Sequence, residues 1–398
     1  MSDSDSDTMM DAEVQEVEDK GLDAPDVVTK YTTAAGIANQ ALELAVRGLQ
    51  PGATLGELCA AVDAFIADAT GKIYNKVKTE KGAAFPCCIS LNNTVGHCCP
   101  LLGEKLAAAD GDLAKIDLGV HIDGYIAVVA HTVVVGNGGV ATGRKADVLA
   151  AALTASECAK SMLKAGVKNS EITAMFAQVA ATFGCQPVQA VLSHQMKRFV
   201  IDGNKTVIGR SDAENKVEEV ELLVGEVYAI DVVMSTGEGK PREADERTTV
   251  FKRAVDQNYQ LKMQASRKTL GEINKQFPTF PFSVRGLGDA RGRLGMSECI
   301  KHNLVVPYPV LFEKDGEFVA HFKFTALMMP SGTLRITGAP SDRSKIETQC
   351  RVEDPALLAL LVAEPVKDKK KKKSKKKKSK AAGSAAAADD DDDDEMDD

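Results

Sequence analysis

Several features that mark common classes of protein are missing from this 398-residue sequence. No apolar run reaches the roughly 18 residues that a membrane-spanning helix requires, so we expect no membrane partner. The first 19 residues are acidic and contain no basic stretch followed by an apolar one, which argues against a signal peptide. The nine cysteines form no C-x-x-C pair, and their irregular spacing fits neither a zinc module nor a disulfide framework. These absences predict a reduced, intracellular protein.

Charge is distributed very unevenly along the chain. Residues 1–20 carry a net charge of −7, residues 367–380 carry +10 and residues 389–398 carry −9, which leaves −2 for the remainder. We predict that residues 1–22 and 366–398 are disordered, because they contain too little apolar surface to fold. The lysine run suits a nuclear or nucleolar address, or a nonspecific RNA contact.

The nearly neutral body alternates between helical and strand-like patterns. Apolar residues at spacings of three and four predict a first helix from Asp26 to Gly48. Thr54 and Glu57 form a capping-box pattern ahead of a second helix. The other predicted elements are strands at 88–92, 113–120, 125–135, 226–235, 247–252, 317–329 and 333–337, and helices at 147–164, 170–183, 259–276 and 355–362.

Two short segments of the body resemble each other. Residues 111–117 and 225–231 both read Gly-acid-x-x-x-Ile-Asp, a turn followed by a strand that ends in aspartate. The match can arise by chance, or it can reflect a pseudo-repeated α+β domain whose halves each deliver a carboxylate to one pocket. With His97 and His194, the two aspartates Asp117 and Asp231 would make an ordinary ligand set for a divalent transition metal. By spacing alone, four unrelated polar residues are the simpler interpretation.

A series of motifs, in order along the chain, resembles the catalytic domain of type II methionine aminopeptidases. These motifs are Ala84-Phe85-Pro86, Ser90-Leu91-Asn92-Asn93 with His97, Lys115-Ile116-Asp117, Leu192-Ser193-His194, Glu226 to Asp231 and Pro307-Tyr308-Pro309. Segments 26–31, 115–121, 143–148, 235–240 and 316–320 are similar to the proliferation-associated (ErbB-3 binding) protein family, the non-peptidase branch of the M24 superfamily. The resemblance implies a pita-bread fold over residues 23–365, an α+β architecture of pseudo-twofold related halves, with a helical and basic insert at 247–305.

The resemblance also implies where the peptidases would hold their two metal ions. The first metal-binding aspartate corresponds to Asp117 and the metal-binding histidine to His194, and both are present. The second aspartate is replaced by Val128. The two glutamate positions hold Asp231, which is one methylene shorter, and Lys323. Two of the five ligand positions therefore carry side chains that cannot bind a cation.

The charges at these positions predict a site without metal. Val128 offers no lone pair, and Lys323 places an ammonium where a cation would sit, so we expect no metal, no other cofactor and no two-metal hydrolysis. A weak mononuclear site on the three remaining ligand positions stays geometrically conceivable. Of the two histidines that border the peptidase substrate, His97 is kept and the second is replaced by Asp202.

A peptidase fold without its ligands leaves binding as the expected function. The resemblance implies association with the large ribosomal subunit near the tunnel exit, binding of ribosomal RNA, and action in the cytoplasm, nucleus and nucleolus. Basic residues interleaved with Phe251 and Tyr259 suit phosphate contact and base stacking, although a solvated charged helix face would look the same. The candidate RNA-binding residues are Arg247, Lys252, Arg253, Lys262, Arg267 and Lys268, followed by Arg285, Arg291 and Arg293 in a predicted Gly-rich loop.

A second class of function is suggested by an L-x-x-L-L box formed by Leu357, Leu360 and Leu361. Such a box can dock in a partner groove, which would suit a transcriptional or signalling adaptor. The alternative is a helix that closes the hydrophobic core. Further possible partners are a nascent chain and transcriptional or signalling proteins. We expect the protein to be a monomer.

Overall fold

The computed structural model of the protein describes residues 20–189, 191–212, 216–288 and 290–362. All of these residues belong to one unit that extends to Pro365. The lysine run and nearly all of the segments predicted to be disordered lie outside the described residues, so those predictions and the proposed domain limits stay predictions. Leu22 is an exception, because it is described and is only 4% exposed, packed against the core.

The helices agree with the predicted ones in most positions. They are α1 (Pro25–Gly48), α2 (Leu55–Gly71), α3 (Gly143–Met162), α4 (Asn169–Thr182), α5 (Gln264–Gln276), α6 (Ala290–Lys301) and α7 (Pro355–Val362). Pro25 suits the first turn of α1, because its fixed φ is helical and its missing N–H would be unpaired there. Helix α2 begins where it was predicted, but the Thr54 side chain makes no capping hydrogen bond, so the capping box is wrong. No helix was predicted at α6.

The strands build one large sheet and several small ones. They are β1 (Lys81–Leu91), β2 (Thr94–Gly96), β3 (Leu113–Ile122), β4 (Tyr125–Val134), β5 (Ala141–Thr142), β6 (Gln186–Pro187), β7 (Leu192–Met196), β8 (Thr206–Ile208), β9 (Val227–Ser235), β10 (Arg242–Glu243), β11 (Val250–Arg253), β12 (Phe282–Ser283), β13 (Val305–Tyr308), β14 (Leu311–Phe312), β15 (Val319–Met329), β16 (Gly332–Arg335) and β17 (Ile346–Glu347). The large sheet has the order β1-β3-β4-β15-β9-β7-β8, with β16 beside β15 and β6 beside β9.

Helices cover the large sheet separately in its two halves. Helices α1 and α2 pack on β1, β3 and β4, and α3 packs on β9 and β15 with α4 behind it. Because side chains alternate along a strand, Leu118 and Val120 of β3 point into the core under α1 and α2, whereas Asp117 points to the opposite face. No described helix is long and apolar enough to cross a membrane.

The two similar segments occupy equivalent places in the two halves. Gly111 precedes β3 and donates its N–H to the carbonyl of Val135 (2.7 Å), and Gly225 precedes β9 and donates to the carbonyl of Met328 (2.8 Å). Both glycines have a positive φ, +79° and +90°, which favours glycine. The sequence match therefore reflects the same turn in each half, as a pseudo-twofold fold requires.

The region predicted as an insert contains α5 and α6, which pack against each other beside the three-stranded sheet β12-β11-β13. Ile273 of α5 and Met296 and Cys299 of α6 are buried in their shared core. Gly295 permits the close approach of the helices, because a Cβ there would lie 2.1 Å from Oγ1 of Thr269. The Gly-rich stretch is thus part of a helix interface.

Candidate functional site: a degenerate metal pocket

A cavity of about 300 Å³ lies on the face of the large sheet opposite to α1 and α2. It brings together all of the residues that the sequence placed in the pocket. They are Asp117, Val128, His194, Asp231, Lys323, His97 and Asp202. Phe85, Ile201, Tyr308, Leu311 and His321 complete much of the wall. Val95, Val191, Leu192, Ala229 and Val233 also line the cavity, so most of its wall is apolar. The charged groups are concentrated on β3, β9 and β15.

Lys323 lies between the two carboxylates at the centre of the site. Its Nζ is 2.8 Å from Oδ2 of Asp117 and 3.0 Å from Oδ2 of Asp231. The sheet register explains this position, because Lys323 on β15 pairs with Asp231 on β9 and with Ala130 on β4, which in turn pairs with Asp117 on β3. Four paired positions across the sheet, with the small Ala130 between Asp117 and Lys323, therefore project one ammonium between two carboxylates.

The ion pairs keep these buried groups charged. Burial alone would lower the pKa of Lys323, but the carboxylates of Asp117 and Asp231 outweigh burial and hold that pKa above its usual value. Burial alone would raise the pKa of Asp231, but the charges of Lys323 and His321 outweigh it and hold that pKa well below its usual range. The lysine and this aspartate stabilise each other in their charged forms.

His321 is a member of this network that sequence reasoning missed. Its Nε2 lies 2.6 Å from Oδ1 of Asp231, and its backbone N–H donates to Oγ1 of Thr132 at 2.8 Å. A signal was available, because His321 and Lys323 are two residues apart on one strand and must share a face. Asp231 thus uses both carboxylate oxygens on protein partners.

Val128 fills the position of the missing aspartate with packed hydrocarbon. Its side chain is 3% exposed and belongs to an apolar cluster. Its N–H donates to Oγ1 of Thr325 (2.9 Å), and its carbonyl accepts from the hydroxyls of Thr325 (3.0 Å) and Thr337 (2.7 Å). These bonds fix the strand but supply no ligand to the cavity.

His97 and His194 of the pocket are held in neutral forms. Nδ1 of His97 is 3.0 Å from the carbonyl of Pro309, and Nδ1 of His194 is 3.4 Å from the carbonyl of Gly203. A carbonyl only accepts, so each Nδ1 carries the hydrogen and each Nε2 is left with a lone pair. Burial lowers the pKa of both imidazoles.

Asp202, which stands in place of the second substrate-bordering histidine, connects the cavity to the insert. Both of its carboxylate oxygens lie 2.7 Å from Nζ of Lys252 on β11. Lys252 was predicted to contact RNA, but its ammonium is already paired with a pocket residue. We therefore interpret Lys252 as a residue at the rim of the pocket, paired with Asp202.

The side chains present do not fit a two-metal centre. Nζ of Lys323 occupies the space between the two carboxylates, and the position of the second aspartate is hydrocarbon. In the part of the chain that the structure describes, no group of three or more His, Cys, Asp or Glu side chains is arranged to hold a metal ion. Oδ1 of Asp117 is buried and has no hydrogen-bond partner among the described residues, so one acceptor remains at the cavity floor.

The other predicted RNA-binding residues fall into different environments. Arg247, Lys262 and Lys268 are exposed, and Arg253 is half-buried. Arg267 is exposed as well, but its Nη1 donates to the carbonyls of Leu261 and Lys262 within its own chain segment. The backbone of Arg291 and Arg293 lies in α6, and their side chains are outside the described atoms.

Of the two aromatic residues in this region, only one is available for stacking. Phe251 is 3% exposed, so it belongs to the core and cannot stack on a base. Tyr259 is 37% exposed and lies parallel to the ring of His302, with centroids 3.6 Å apart. Arg285 is buried and paired with Asp63 at 2.6 Å, so its predicted RNA contact is wrong.

The leucines of the L-x-x-L-L box face the protein interior. Leu357 is 1% exposed in the core beneath α7, and Leu360 and Leu361 pack against the same cluster. Oγ of Ser161 on α3 donates to the carbonyl of Leu360 at 2.7 Å. This packing supports the alternative of a core-closing helix and leaves the box unable to dock in a partner.

Comparison with known proteins agrees with this fold. Residues 29–251, more than half of the chain, match the profile of metallopeptidase family M24. The chain belongs to this family. The ErbB-3 binding protein 1 of Solanum tuberosum is 50% identical over 359 residues, which cover 89% of this chain and 92% of that protein. A curved DNA-binding protein of Schizosaccharomyces pombe is 39% identical, with 88% of this chain and 93% of that protein covered.

A solved structure has the same architecture. The structure of a thermophilic Arx1 superimposes with a TM-score of 0.81 at 30% identity, and covers 86% of this chain and 100% of that one. The predicted pita-bread fold and the predicted resemblance to the proliferation-associated (ErbB-3 binding) proteins are confirmed. None of these three relatives is named as a peptidase.

Proposed function

We propose that this M24 protein is not a peptidase and that it binds the large ribosomal subunit near the tunnel exit through ribosomal RNA. The proposal includes a role in ribosome biogenesis, translation and growth control, and a location in the cytoplasm, nucleus and nucleolus. The resemblance to the non-peptidase branch of the family is the source of the ribosomal partner. The site and the surface of the insert supply physical support.

The position of Lys323 carries the first half of the proposal. A two-metal peptidase needs four carboxylate charges around two cations and a bridging water as nucleophile. Here an ammonium lies 2.8 Å and 3.0 Å from the two carboxylates that are left. A divalent ion would have to displace this ammonium and leave it buried without its counter-charges, which is strongly unfavourable.

The second half of the proposal, binding to ribosomal RNA, is supported by exposed cations of the insert. Arg247, Lys262 and Lys268 are exposed, and Tyr259 offers an exposed aromatic face. Lysine and arginine side chains gain affinity for nucleic acid by releasing condensed counterions from phosphates. The relative from Schizosaccharomyces pombe is named a curved DNA-binding protein, which is consistent with a nucleic-acid surface on this fold.

Co-sedimentation of the full-length protein with purified ribosomes over a salt series tests the proposal. The variant Lys262→Glu/Lys268→Glu should bind more weakly, and the slope of log affinity against log salt should flatten by about two units, one for each lost phosphate contact. Lys252 and Arg267 are left unchanged, because Lys252 pairs with Asp202 and Arg267 bonds to the backbone.

A matched control is available in Lys76→Glu/Lys78→Glu, which makes the same charge change at two exposed lysines between α2 and β1. This control should bind ribosomes as the wild type does. Equal loss of binding in both variants would mean a general charge effect. Binding that survives in the insert variant would place the interface elsewhere.

The adaptor function receives no comparable support. It depends on a free L-x-x-L-L box, and Leu357 is buried in the core. A partner that requires these leucines would have to unpack α7 from α3 before it could bind.

A further inference from the structure

Five of the nine cysteines lie close together, and one of them, Cys88, pairs across β1 and β3 with Asp117 of the pocket. Cys59 is on α2, Cys87 and Cys88 are on β1, and Cys98 and Cys99 follow β2. All nine cysteines of the chain are described, and all are free thiols. Neither the pocket nor the proposed RNA surface uses this cluster.

Cys88 and Cys99 face each other across two neighbouring segments. The N–H of Ile89 donates to the carbonyl of Cys98 at 2.9 Å, and the N–H of Cys98 reaches Oγ of Ser90 at 3.4 Å. This antiparallel contact places Cys88 opposite Cys99, and their thiols are hydrogen-bond neighbours. Opposed residues of antiparallel segments have a Cα separation of about 4.5–5.5 Å, which lies within the range that a disulfide spans.

A buried guanidinium lies beside this pair. Nη1 of Arg285 donates to the carbonyl of Pro100 (2.8 Å), and Nη2 contacts the carbonyl of Cys87 (3.3 Å) and the carboxylate of Asp63. Burial alone would raise the pKa of the Cys99 thiol, but the hydrogen bond from Cys88 and the charge of Arg285 outweigh burial and lower it. A thiol beside a fixed cation has the environment of a reactive cysteine.

Cys99 is 2% exposed, and a cavity lies on one side of it. Cys98 and Cys99 line a cavity of about 210 Å³, together with Thr249, Glu104 and Arg247. Glu104 and Arg247 are exposed, so this cavity meets the surface. Its volume is several times that of a water molecule, which is enough to admit a small oxidant.

We propose that Cys99 is a peroxide-reactive thiol and that Cys88 resolves its oxidised form into a Cys88–Cys99 disulfide. The Cys99 thiolate attacks one oxygen of hydrogen peroxide, the O–O bond breaks, and the displaced hydroxide takes up a proton to leave as water. Sγ of Cys88 then attacks the sulfenic acid of Cys99, its proton passes to the departing oxygen, and a second water leaves. Two thiols are oxidised by two electrons, and one peroxide is reduced to two waters.

The disulfide would have a local consequence for the pocket. Cys88 and Cys99 pack with Phe85 of the cavity wall, and Cys99 follows His97 by two residues. The crosslink would tie the segment that carries His97 to β1. Oxidation would therefore restrict one wall of the pocket, next to the strand position that pairs with Asp117.

The experiment uses the full-length, reduced protein. Brief treatment with hydrogen peroxide is followed by an alkylating quench and digestion under non-reducing conditions, with cleavage at Leu91 to separate the two halves of the crosslink. The expected product is one Cys88–Cys99 linkage, which lowers the summed peptide mass by about 2 Da. It should form about tenfold faster than any oxidation of Cys158 or Cys299, whose pKa values burial raises to about 11.

Three single variants sharpen the assignment. Cys88→Ala should leave a sulfenic acid on Cys99 that a dimedone probe traps, and Cys99→Ala should form no linkage. Cys98→Ala is the matched control, because Cys98 is adjacent and more exposed, and it should form the linkage as the wild type does. If a variant fails to fold, the peptide map of the wild type still decides the assignment.

Three results would overturn the proposal. Oxidation that follows exposure alone would fall first on Cys98 and Cys350, the two partly exposed cysteines. A linkage between Cys59 and Cys87, or a Cys99 that stays reduced until the protein unfolds, would equally show that the pair identified here is not the reactive one.

Discussion

Replacing Lys323 with methionine tests the central feature of the site. Methionine has a similar length and no charge, so the substitution removes the ammonium and leaves the volume nearly unchanged. Asp117 and Asp231 would then face each other without their shared counter-charge, in a cavity where both side chains are largely buried. We expect Lys323→Met to be strongly destabilising at neutral pH.

The magnitude follows from the two distances. At an effective dielectric constant of about 20, opposite charges 2.8 Å and 3.0 Å apart attract by about 6 kcal/mol for each contact. Desolvation of the ammonium and carboxylates offsets most of this attraction. Removing one partner of a buried pair costs about 3–5 kcal/mol, because it leaves an uncompensated charge. The free energy of unfolding should therefore fall by about 3–5 kcal/mol.

The loss should depend on pH in a defined direction. In the wild type the pKa of Asp231 is depressed in the folded state, so its contribution is present above the unfolded value of about 4 and is lost as pH falls through the folded value. The pKa of Lys323 is raised, so its contribution is present below about pH 10 and is lost only above that. The difference between variant and wild type should be largest between about pH 5 and 9 and should shrink in acid.

Urea unfolding followed by circular dichroism at pH 7 and at about pH 3, below the unfolded pKa of aspartate, measures both effects, and the absence of tryptophan makes this the convenient signal. Lys164→Met, at an exposed lysine, is the control and should change stability by less than about 0.5 kcal/mol. A Lys323→Met protein as stable as the control at pH 7 would refute the ion-pair argument. A large loss that is identical at both pH values would show that packing, and not charge, is responsible.

Two further predictions concern the metal positions and the last helix. Elemental analysis of protein purified without chelator should find well under one equivalent of cobalt, manganese, zinc or iron. Val128→Asp/Lys323→Glu should raise the metal content. A stoichiometric metal in the wild type would contradict the interpretation of the site. Leu357→Ala should lower the free energy of unfolding by about 2–5 kcal/mol, because Leu357 is 1% exposed. The control Leu358→Ala, at a residue that is 41% exposed, should lower it by less than about 0.5 kcal/mol. Equal urea midpoints for the two variants would contradict the packing of α7.

The sequence was informative where one physical effect dominated a segment. Predominantly apolar segments predicted β3, β4, β9 and β15 to within a few residues, because most residues on both faces of these strands are buried. Of the few charged residues within them, Asp117, Asp231 and Lys323 belong to the pocket. It was misleading at α6, where glycines suggested a loop. Gly295 is needed because Thr269 of α5 lies against it, and such a contact between two segments cannot be read from either one alone.

The same limit applies to the capping box and the leucine box. Thr54 and Glu57 have the right spacing, but the first turn of α2 does not use the Thr54 side chain. Leu357, Leu360 and Leu361 have the spacing of a docking motif, yet the same spacing lines one side of any helix that packs on a core. A motif defines which contacts are available, and tertiary packing decides which are made.

Lys252 is the most direct example of tertiary packing deciding which contacts are made, because Lys252 and its partner Asp202 were each given a different role from the sequence. As one of several basic residues in the insert it was expected to contact phosphate, and Asp202 was expected only to mark a lost histidine. In the structure the two form an ion pair with both oxygens at 2.7 Å, so the ammonium is already compensated. A charge reversal at Lys252 would place two carboxylates together at the rim of the pocket and would perturb pocket and surface at once. The surface and the pocket can therefore be tested independently only by variants that leave this pair intact.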